Sequence, residues 1–418
     1  MFTRDLRLRD NPAIAAANTG ADRIVPLFVL DRFLLAHTAH GRPHRFGFLC
    51  QSLIDLDSSL RDRGARLIVR RGDWVQETLQ VAYECRADTI HVARDVSGYA
   101  RARTERLRRA GHTVGVAVVE HDGVTVVRPD AFGKPYLVFT PYHKRWAAAA
   151  TRREVKLARL APLPSAIASD TIPDAAPPGE WVGGETAARA CLKSWTARGL
   201  ARYAERRDDP GADATSRISP YLHFGCISPL EVASRLHDRE GGAAYLRQLC
   251  WRDFFAQLLW WRPDVARRDV RPNAARAWVD DPGALAAWKE GRTGFPLVDA
   301  GMRQLRAEGW MHNRVRMVVA SFLTKNLRID WRTGAAHFME LLVDGDIANN
   351  QLGWQWVAGT GTDTNPHRVL NPTVQANRFD PERVYVRRWI EELDTPRYPA
   401  PIVDHHEAIE QWKRSRLG

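Results

Sequence analysis

The segment Trp310–Asp363, WMHNRVRMVVASFLTKNLRIDWRTGAAHFMELLVDGDIANNQLGWQWVAGTGTD, decides how the rest of the chain is read. Apolar residues recur at helical spacing through Val315–Asn326 and Gly334–Val343. Asn313, Arg314 and Arg316 ride on these otherwise apolar helices. An acidic knot, Asp344-Gly345-Asp346, is followed by Asn349 and Asn350, and indoles stand at Trp310, Trp331, Trp354 and Trp356. Polar groups inside apolar helices are costly unless something they bind satisfies them. A large ligand with both polar and aromatic parts is the simplest partner for such a set.

The chain of 418 residues has room for two or three domains and a large core. Its net charge is +12, and Lys occurs only seven times, so 54 of the 61 basic residues are Arg. A basic surface favours a polyanion, and Arg matches phosphate oxygens bidentately. Arginine-rich coding alone gives the same composition. Five scattered cysteines (Cys50, Cys85, Cys191, Cys226, Cys250) without a CxxC pair argue against a disulfide framework and against a metal site. No signal peptide and no apolar run of about 18 residues is present, which reads as a cytoplasmic protein without a membrane span. Trp (15) outnumbers both Phe (14) and Tyr (9), so indole rings in particular are in demand.

Upstream, residues 1–128 alternate strand-like runs (Ile24–Leu30, Arg66–Arg70, Thr89–Ala93, Val114–Val119) with amphipathic stretches (Arg45–Arg63, Val75–Cys85, Ala100–Ala110). This alternation predicts a doubly wound parallel α/β domain. Asn11-Pro12 reads as an N-cap with Pro at the first helical position. No GxGxxG follows a strand, which weakens a dinucleotide reading. Prolines at 162, 164, 173, 177 and 178 break residues 129–195 into an irregular connection. From 196 onward the pattern is helical, with Ser228-Pro229-Leu230-Glu231 as a capping box and helices over Ala243–Trp261 and Pro296–Glu308.

Three features carry chemistry. Thr215-Ser216-Arg217-Ile218-Ser219 offers hydroxyls and amides just before a helix, which suits an anion or ordinary capping. Arg316 needs a carboxylate if buried, and Asp344 is the candidate, as a structural pair or as part of a site. Any single indole is explained by core packing.

HNRVRM, IDWRTG, DGDIANNQLGWQW and GTGTD resemble the flavin-domain signature of the DNA photolyase/cryptochrome family. TRDLRLRDNPA resembles that family's opening, and FGKPYLVFTPYHKRW its exit from the first domain. The likeness runs from Phe2 to about His405 and is closest to class I cyclobutane pyrimidine dimer photolyases. It implies an antenna-type α/β domain over 1–128, a linker over 129–195 and a helical FAD-binding and DNA-binding domain over 196–418. It also implies flavin contacts at Tyr203, at Thr215, Ser216, Arg217, Ile218 and Ser219, and at Arg316, Asp344, Asp346 and Asn350. Asn350 matches the residue facing the reactive flavin nitrogen, where an amide supplies no carboxylic proton. Trp354, Trp331 and Trp278 match the proximal, middle and exposed members of an electron-transfer chain, while Trp288 and Trp310 do not match it. Trp251 and Trp356 match the pair that sandwiches a base pair taken out of the duplex, as base-flipping enzymes do. Asn313 and Met317 match further lesion contacts, Arg314 a phosphate contact and Arg207 a basic rim residue.

The implied activity is light-driven splitting of a flipped-out pyrimidine dimer in UV-damaged DNA by an electron from reduced FAD, in a monomer with no obligate protein partner. The alternatives are a cryptochrome-like blue-light photoreceptor and a photolyase for the six-four photoproduct. Two departures stand out: Gln248 replaces the usual Glu, which cannot then carry charge to the lesion, and Asp253 replaces another Glu. Ser97-Gly98-Tyr99-Ala100 lacks the Asn-Glu pair of the folate-binding form and is more similar to the deazaflavin-binding form of the antenna site. Where the family opens on a β-strand, this chain opens at Met1-Phe2-Thr3, so translation is expected to start a few residues upstream.

Overall fold

The computed structural model describes residues 1–37, 42–157, 159–164, 167–271 and 278–415. The chain forms two compact units, each assembled from three segments. The first comprises Met1–Tyr136, Pro141–Ala201 and Ser216–Pro263, and the second Leu137–Thr140, Arg202–Thr215 and Asp264–Gly418.

The first unit holds all the strands found among the described residues. β1 (Leu27–Asp31) pairs in parallel with β2 (Ile68–Gly72), Leu27 opposite Ile68. β3 (Thr89–Ala93) pairs in parallel with β4 (Ala117–His121), Thr89 opposite Ala117. The fold is therefore α/β followed by helices as expected, with the four strands in two parallel pairs. The first residues of the chain bond to both pairs: the Phe2 N–H donates to Leu27 O (2.8 Å), and the Met1 amine to His91 O (2.9 Å). Three strands begin later than the runs expected for them, β2 at Ile68 and not at Arg66, and two of the delays have a local cause. Pro26 has no N–H, so the β1 ladder begins after it. Gly115 sits at φ +76°, which delays β4 to Ala117. Leu27, Val29, Ile68, Trp74, Val81, Ile90, Val92 and Leu107 form the core of this α/β part.

Caps place its helices, at Asn11 as the sequence predicts and at Ser97 where it predicts none. Asn11 Oδ1 accepts from the Ala13 and Ile14 amides at the head of Pro12–Asn18 (3.0 and 3.2 Å), and Ser97 Oγ from Ala100 at the head of Gly98–Thr113 (3.2 Å). Ser228 caps Pro229–Leu236 through the Glu231 amide, but the box is half closed. The buried Glu231 carboxylate is taken instead by Arg189 (2.6 Å) and Arg235 (2.8 Å). The charged opening motif is also internal. Arg7 is buried and donates to the Asp10, Gly123 and Gly225 carbonyls, while Asp10 receives Arg152 at 2.7 Å. The helix Gly242–Trp261 belongs to this unit.

Among its described residues the second unit holds helices joined by loops and no strands. Pro296–Glu308, Asn313–Ser321, Trp331–Leu341 and Ile347–Ala358 pack around Trp288, Met302, Val315, Val319, Phe322, Trp331, Phe338 and Trp354. The run expected as one helix over Val315–Asn326 changes at Phe322 into a π-helical turn, Phe322–Asn326. Such turns are uncommon and often accompany functional sites. Here the turn brings buried Lys325 to the Arg368 carbonyl.

Candidate functional site

In the second unit the helix Asn313–Ser321 begins at a buried imidazole. His312 Nδ1 accepts the Arg314 amide (3.2 Å), and burial pushes its pKa down to about 4, so it stays neutral as a cap. Val315, Val318 and Val319 face the core. That leaves Asn313 and Met317, one turn apart, on the open face, with Nδ2 4.0 Å from Sδ. Arg314 points another way: its guanidinium donates to Asp208 (2.8 Å) and lies 4.4 Å from the Phe379 ring centroid.

Arg316 grips Asp344 through Nη2 (2.9 and 3.1 Å) and donates from Nε to the Met311 carbonyl (2.7 Å). Asp344 is 9% exposed, so the guanidinium offsets a carboxylate that would otherwise be costly to bury. Asp346 caps Ile347–Ala358 by accepting the Asn349 amide (2.9 Å) and the Asn349 side chain (2.7 Å). One turn on, Asn350 is buried and its orientation is dictated by its neighbours. Nδ2 donates to the Ala335 carbonyl (3.0 Å) and to Gln351 Oε1 (3.0 Å). Both nearby groups are acceptors, so the amide cannot be turned over, and Oδ1 is the atom left to meet a ligand donor.

The Thr215–Ser219 segment does not cap its helix. Ser219–Phe224 starts at Ile218, which offers no side-chain cap. Ser216 Oγ bonds Tyr245 Oη instead (2.7 Å), Arg217 takes a left-handed backbone (φ +50°), and Thr215 Oγ1 is buried without a partner among the described residues. A buried orphan hydroxyl calls for an acceptor or donor from outside the chain. Tyr203 opens the short helix Tyr203–Arg206, buried, its phenol pushed up to about 12 by burial; Arg207 follows it, half-buried.

The indoles divide by environment. Trp331 is fully buried, yet its Nε1 donates to Asp269 (2.9 Å), and the Arg332 guanidinium shares that carboxylate (2.8 Å). Trp354 is 3% exposed and lies over Gly334, where a Cβ would fall 2.3 Å from its Cη2. Trp278 is half-buried against the same cluster and is more exposed than Trp331 or Trp354. Trp288 is fully buried, donates to the Val319 carbonyl and meets Trp354 edge-on at 6.1 Å, as packing requires. Trp356 is half-buried, with the Arg368 guanidinium 5.4 Å from its ring centroid. In the first unit, Gln248 and Trp251 lie one turn apart on a half-exposed strip of the 242–261 helix, and Trp251 meets Phe254 edge-on at 5.5 Å. Asp253 faces inward: its Oδ2 takes the Val126 and Val127 amides and Trp146 Nε1, at 2.9, 3.0 and 2.9 Å.

Several of these partners carry no sequence signal. Asp208, Asp269, Arg368 and the Ala335 carbonyl come from loops and helices far along the chain from the groups they hold. Gly334 alone was visible, inside a helical pattern where glycine is unfavourable without a packing reason.

Residues 1–165 match the family profile described as DNA photolyase, and residues 245–397 the profile described as FAD binding domain of DNA photolyase. The deoxyribodipyrimidine photo-lyase of Streptomyces griseus is 46% identical, covering 100% of this chain and 98% of that protein. A bacterial class III photolyase from Agrobacterium tumefaciens superposes with a TM-score of 0.92 at 31% identity, covering 100% of this chain and 96% of the other. An archaeal photolyase from Sulfolobus tokodaii, solved with two FAD molecules, gives 0.90 at 31% identity over 99% and 98%. The chain belongs to the DNA photolyase/cryptochrome family and carries its FAD-binding domain. It is an enzyme of the photolyase type.

Proposed function

We propose that the chain repairs cyclobutane pyrimidine dimers in UV-damaged DNA under blue or near-UV light, as a class I photolyase with FAD as cofactor. The observation that carries this reading is the pinned amide of Asn350. Both of its N–H groups are spent on carbonyl oxygens, so it offers a ligand an acceptor and no acidic proton. That suits a flavin kept fully reduced. Reduced FAD, when bound, supplies the photoexcited electron that opens the cyclobutane ring and then takes it back.

The residues present fit that cofactor. Arg316, which is paired with Asp344, and Asp346 would hold the ring system, and the orphan hydroxyl of Thr215 with Ser216, Arg217, Ile218, Ser219 and Tyr203 would hold the phosphates. Trp278, Trp331 and Trp354 relay electrons inward, and the Asp269 carboxylate on Trp331 Nε1 favours a transient positive charge there. Trp251 and Trp356 stack on the extruded bases, Asn313, Met317 and Gln248 contact the lesion, and Arg314 and Arg207 hold phosphates. Asn313 with Met317 supports the dimer over the six-four photoproduct. Asn350 and the lesion-contact set support repair over a signalling role.

In the α/β part, Phe33 stacks on Tyr99 (6.3 Å), Tyr99 Oη donates to Asp31 (3.0 Å), and Arg103 lies between the Trp74 and Tyr99 rings (4.1 and 5.6 Å). This aromatic and charged cluster supports an antenna chromophore of the deazaflavin type over folate. Residues 1–128 then form the antenna-type domain, 129–195 the connection, and 196–418 the flavin and DNA domain of a cytoplasmic monomer. No helix among the described residues is long and apolar enough to cross a membrane.

The test is repair of separate dimer and six-four oligonucleotides by flavin-loaded protein, in light and in darkness. Dimer cleavage in light alone is expected. Cleavage of the six-four substrate, or of neither, overturns the assignment. Chromophore released from protein made in the native host should absorb as a deazaflavin, and folate absorption would reverse that choice.

A further inference from the structure

One cavity of the first unit shares no residue with the flavin, lesion and antenna groups. It holds about 640 Å³ and is walled by four separate stretches of that unit. Leu8 and Arg9 come from the opening motif, and Ser59 and Arg63 from the end of the helix Pro43–Arg61 and the turn after it. Residues 154–157 come from the irregular connection, and Glu185, Thr186 and Arg189 from the head of the helix Glu185–Arg198.

Four cations, Arg9, Arg63, Lys156 and Arg189, stand against two carboxylates, Glu154 and Glu185, so the lining carries a positive excess. Arg9 and Arg189 share the buried Glu231 with Arg235, at 3.5, 2.6 and 2.8 Å. Three guanidiniums on one carboxylate leave charge uncompensated, and the two that line the cavity are 49% and 30% exposed. Arg63 gives one N–H to the Ser59 carbonyl (2.9 Å), and among the described residues neither Arg63 nor Lys156 is in an ion pair. Glu185 is already spent: it accepts the Leu8 and Arg9 amides (2.7 and 3.2 Å) and so ties the opening motif to its helix. The Thr186 amide is taken by Asp55 (3.2 Å), so the donors left for a ligand are the side-chain cations and not the helix amides. Like charges gathered in one cavity repel one another unless an anion joins them.

Volume decides between ligand classes. Organic ligands occupy cavities of roughly 300–1,000 Å³, and a bare inorganic ion would leave most of this one empty. Leu8, Val155 and Leu157 supply an apolar wall for an uncharged body. Guanidinium forks match phosphate oxygens bidentately. We propose that this cavity is a second ligand site, which takes an organic phosphate of the size of a nucleoside diphosphate. The phosphates lie among Arg9, Arg63, Lys156 and Arg189, and the uncharged body lies against Leu8, Val155 and Leu157. The Val155 amide donates to Asp10 (3.0 Å), and Arg152 pairs with the same carboxylate (2.7 Å). A ligand held at 154–157 therefore clamps the connection to the opening motif and to the helix Glu185–Arg198. None of these residues belongs to the proposed repair site, so the two readings stand or fall separately.

Calorimetric titration of ADP into the flavin-loaded full chain tests it, with the flavin site filled beforehand. Wild type should bind ADP more tightly than it binds either pyrophosphate or adenosine, because each of those lacks one half of the contact. Arg63→Glu combined with Lys156→Glu should weaken ADP binding by roughly tenfold or more. Arg109→Glu combined with Lys413→Glu makes the same change in net charge at side chains that are 78% and 57% exposed and off the cavity, and should leave binding unchanged. Hydrogen exchange should slow with ADP at 154–157 and 185–189, which places the ligand. Unchanged urea midpoints will show that both double variants fold. Absence of ADP binding to wild type overturns the proposal, as do equal loss in the two double variants, pyrophosphate binding as tight as that of ADP, or slowed exchange confined to other segments.

Discussion

Asp253 makes a quantitative claim that reaches beyond the site. Its carboxyl is buried with a pKa of about 6 in the folded chain, against 3.8 for the free group. Burial causes the rise, and the hydrogen bonds to Oδ2 and the Arg252 charge only moderate it. The linkage has a definite sign. Between pH 3.8 and 6 the folded chain holds a proton that the unfolded chain has lost, so this group's contribution to stability falls as pH rises through that window and is level above it. A shift of this size amounts to roughly 2 to 3 kcal/mol between pH 4 and pH 7. Asp253→Asn removes the titration while leaving an acceptor for the three donors. The difference in unfolding free energy, Asn variant minus wild type, should therefore increase by that amount from pH 4 to pH 7. Urea denaturation of both proteins at matched pH values measures it, and the other carboxylates cancel in the difference. If the difference stays constant within about 1 kcal/mol, Asp253 ionises alike in both states and the reasoning is wrong.

Four further outcomes follow from the geometry. Trp331→Phe should abolish photoreduction of oxidised flavin, while protein reduced chemically beforehand still repairs; Asp269→Asn should slow photoreduction, and transient absorption of both variants checks this. Arg314→Ala should weaken DNA binding and reduce the slope of log K against log salt by about 0.9, whereas Asp208→Asn, which releases Arg314 from its 2.8 Å ion pair, should tighten binding; salt titrations of both variants would expose the idea if the two changed in the same direction. Gly334→Ala would set a methyl 2.3 Å from Trp354 and 2.6 Å from Leu323, and the overpacking should cost about 1–3 kcal/mol in urea unfolding. Gln248→Glu should raise the yield of dimer repair per absorbed photon, and an unchanged yield would show that a charge at this position is not what the lesion lacks.

The placement of helices and strands was largely legible in the chain, because caps and periodicity act over a few residues. Asn11-Pro12 starts its helix as read, and Pro296–Glu308 has the bounds its apolar spacing gives. The misreadings were local too. Pro26 and Gly115 hold back two strands within longer apolar runs, and the 315–326 run hides a π-turn that an average periodicity cannot register. The capping box at Ser228 was half right, since the pattern foretells the serine's bond but not the three arginines around Glu231 that outbid the backbone amide.

By itself, then, the order of residues determined the element plan and the basic composition, because those depend on side-chain chemistry and short-range spacing, while its likeness to a known family is what points to the groups proposed to hold a flavin and a damaged base. Only the tertiary structure decided which way the Asn350 amide points, that Asp269 rather than a neighbouring residue receives the Trp331 indole, that Thr215 keeps an unspent hydroxyl, and that Asp253 is sunk against Trp146 with one oxygen unsatisfied. Hydrogen-bond orientation and desolvation depend on which distant segments close around a group, and no local window of sequence contains that information.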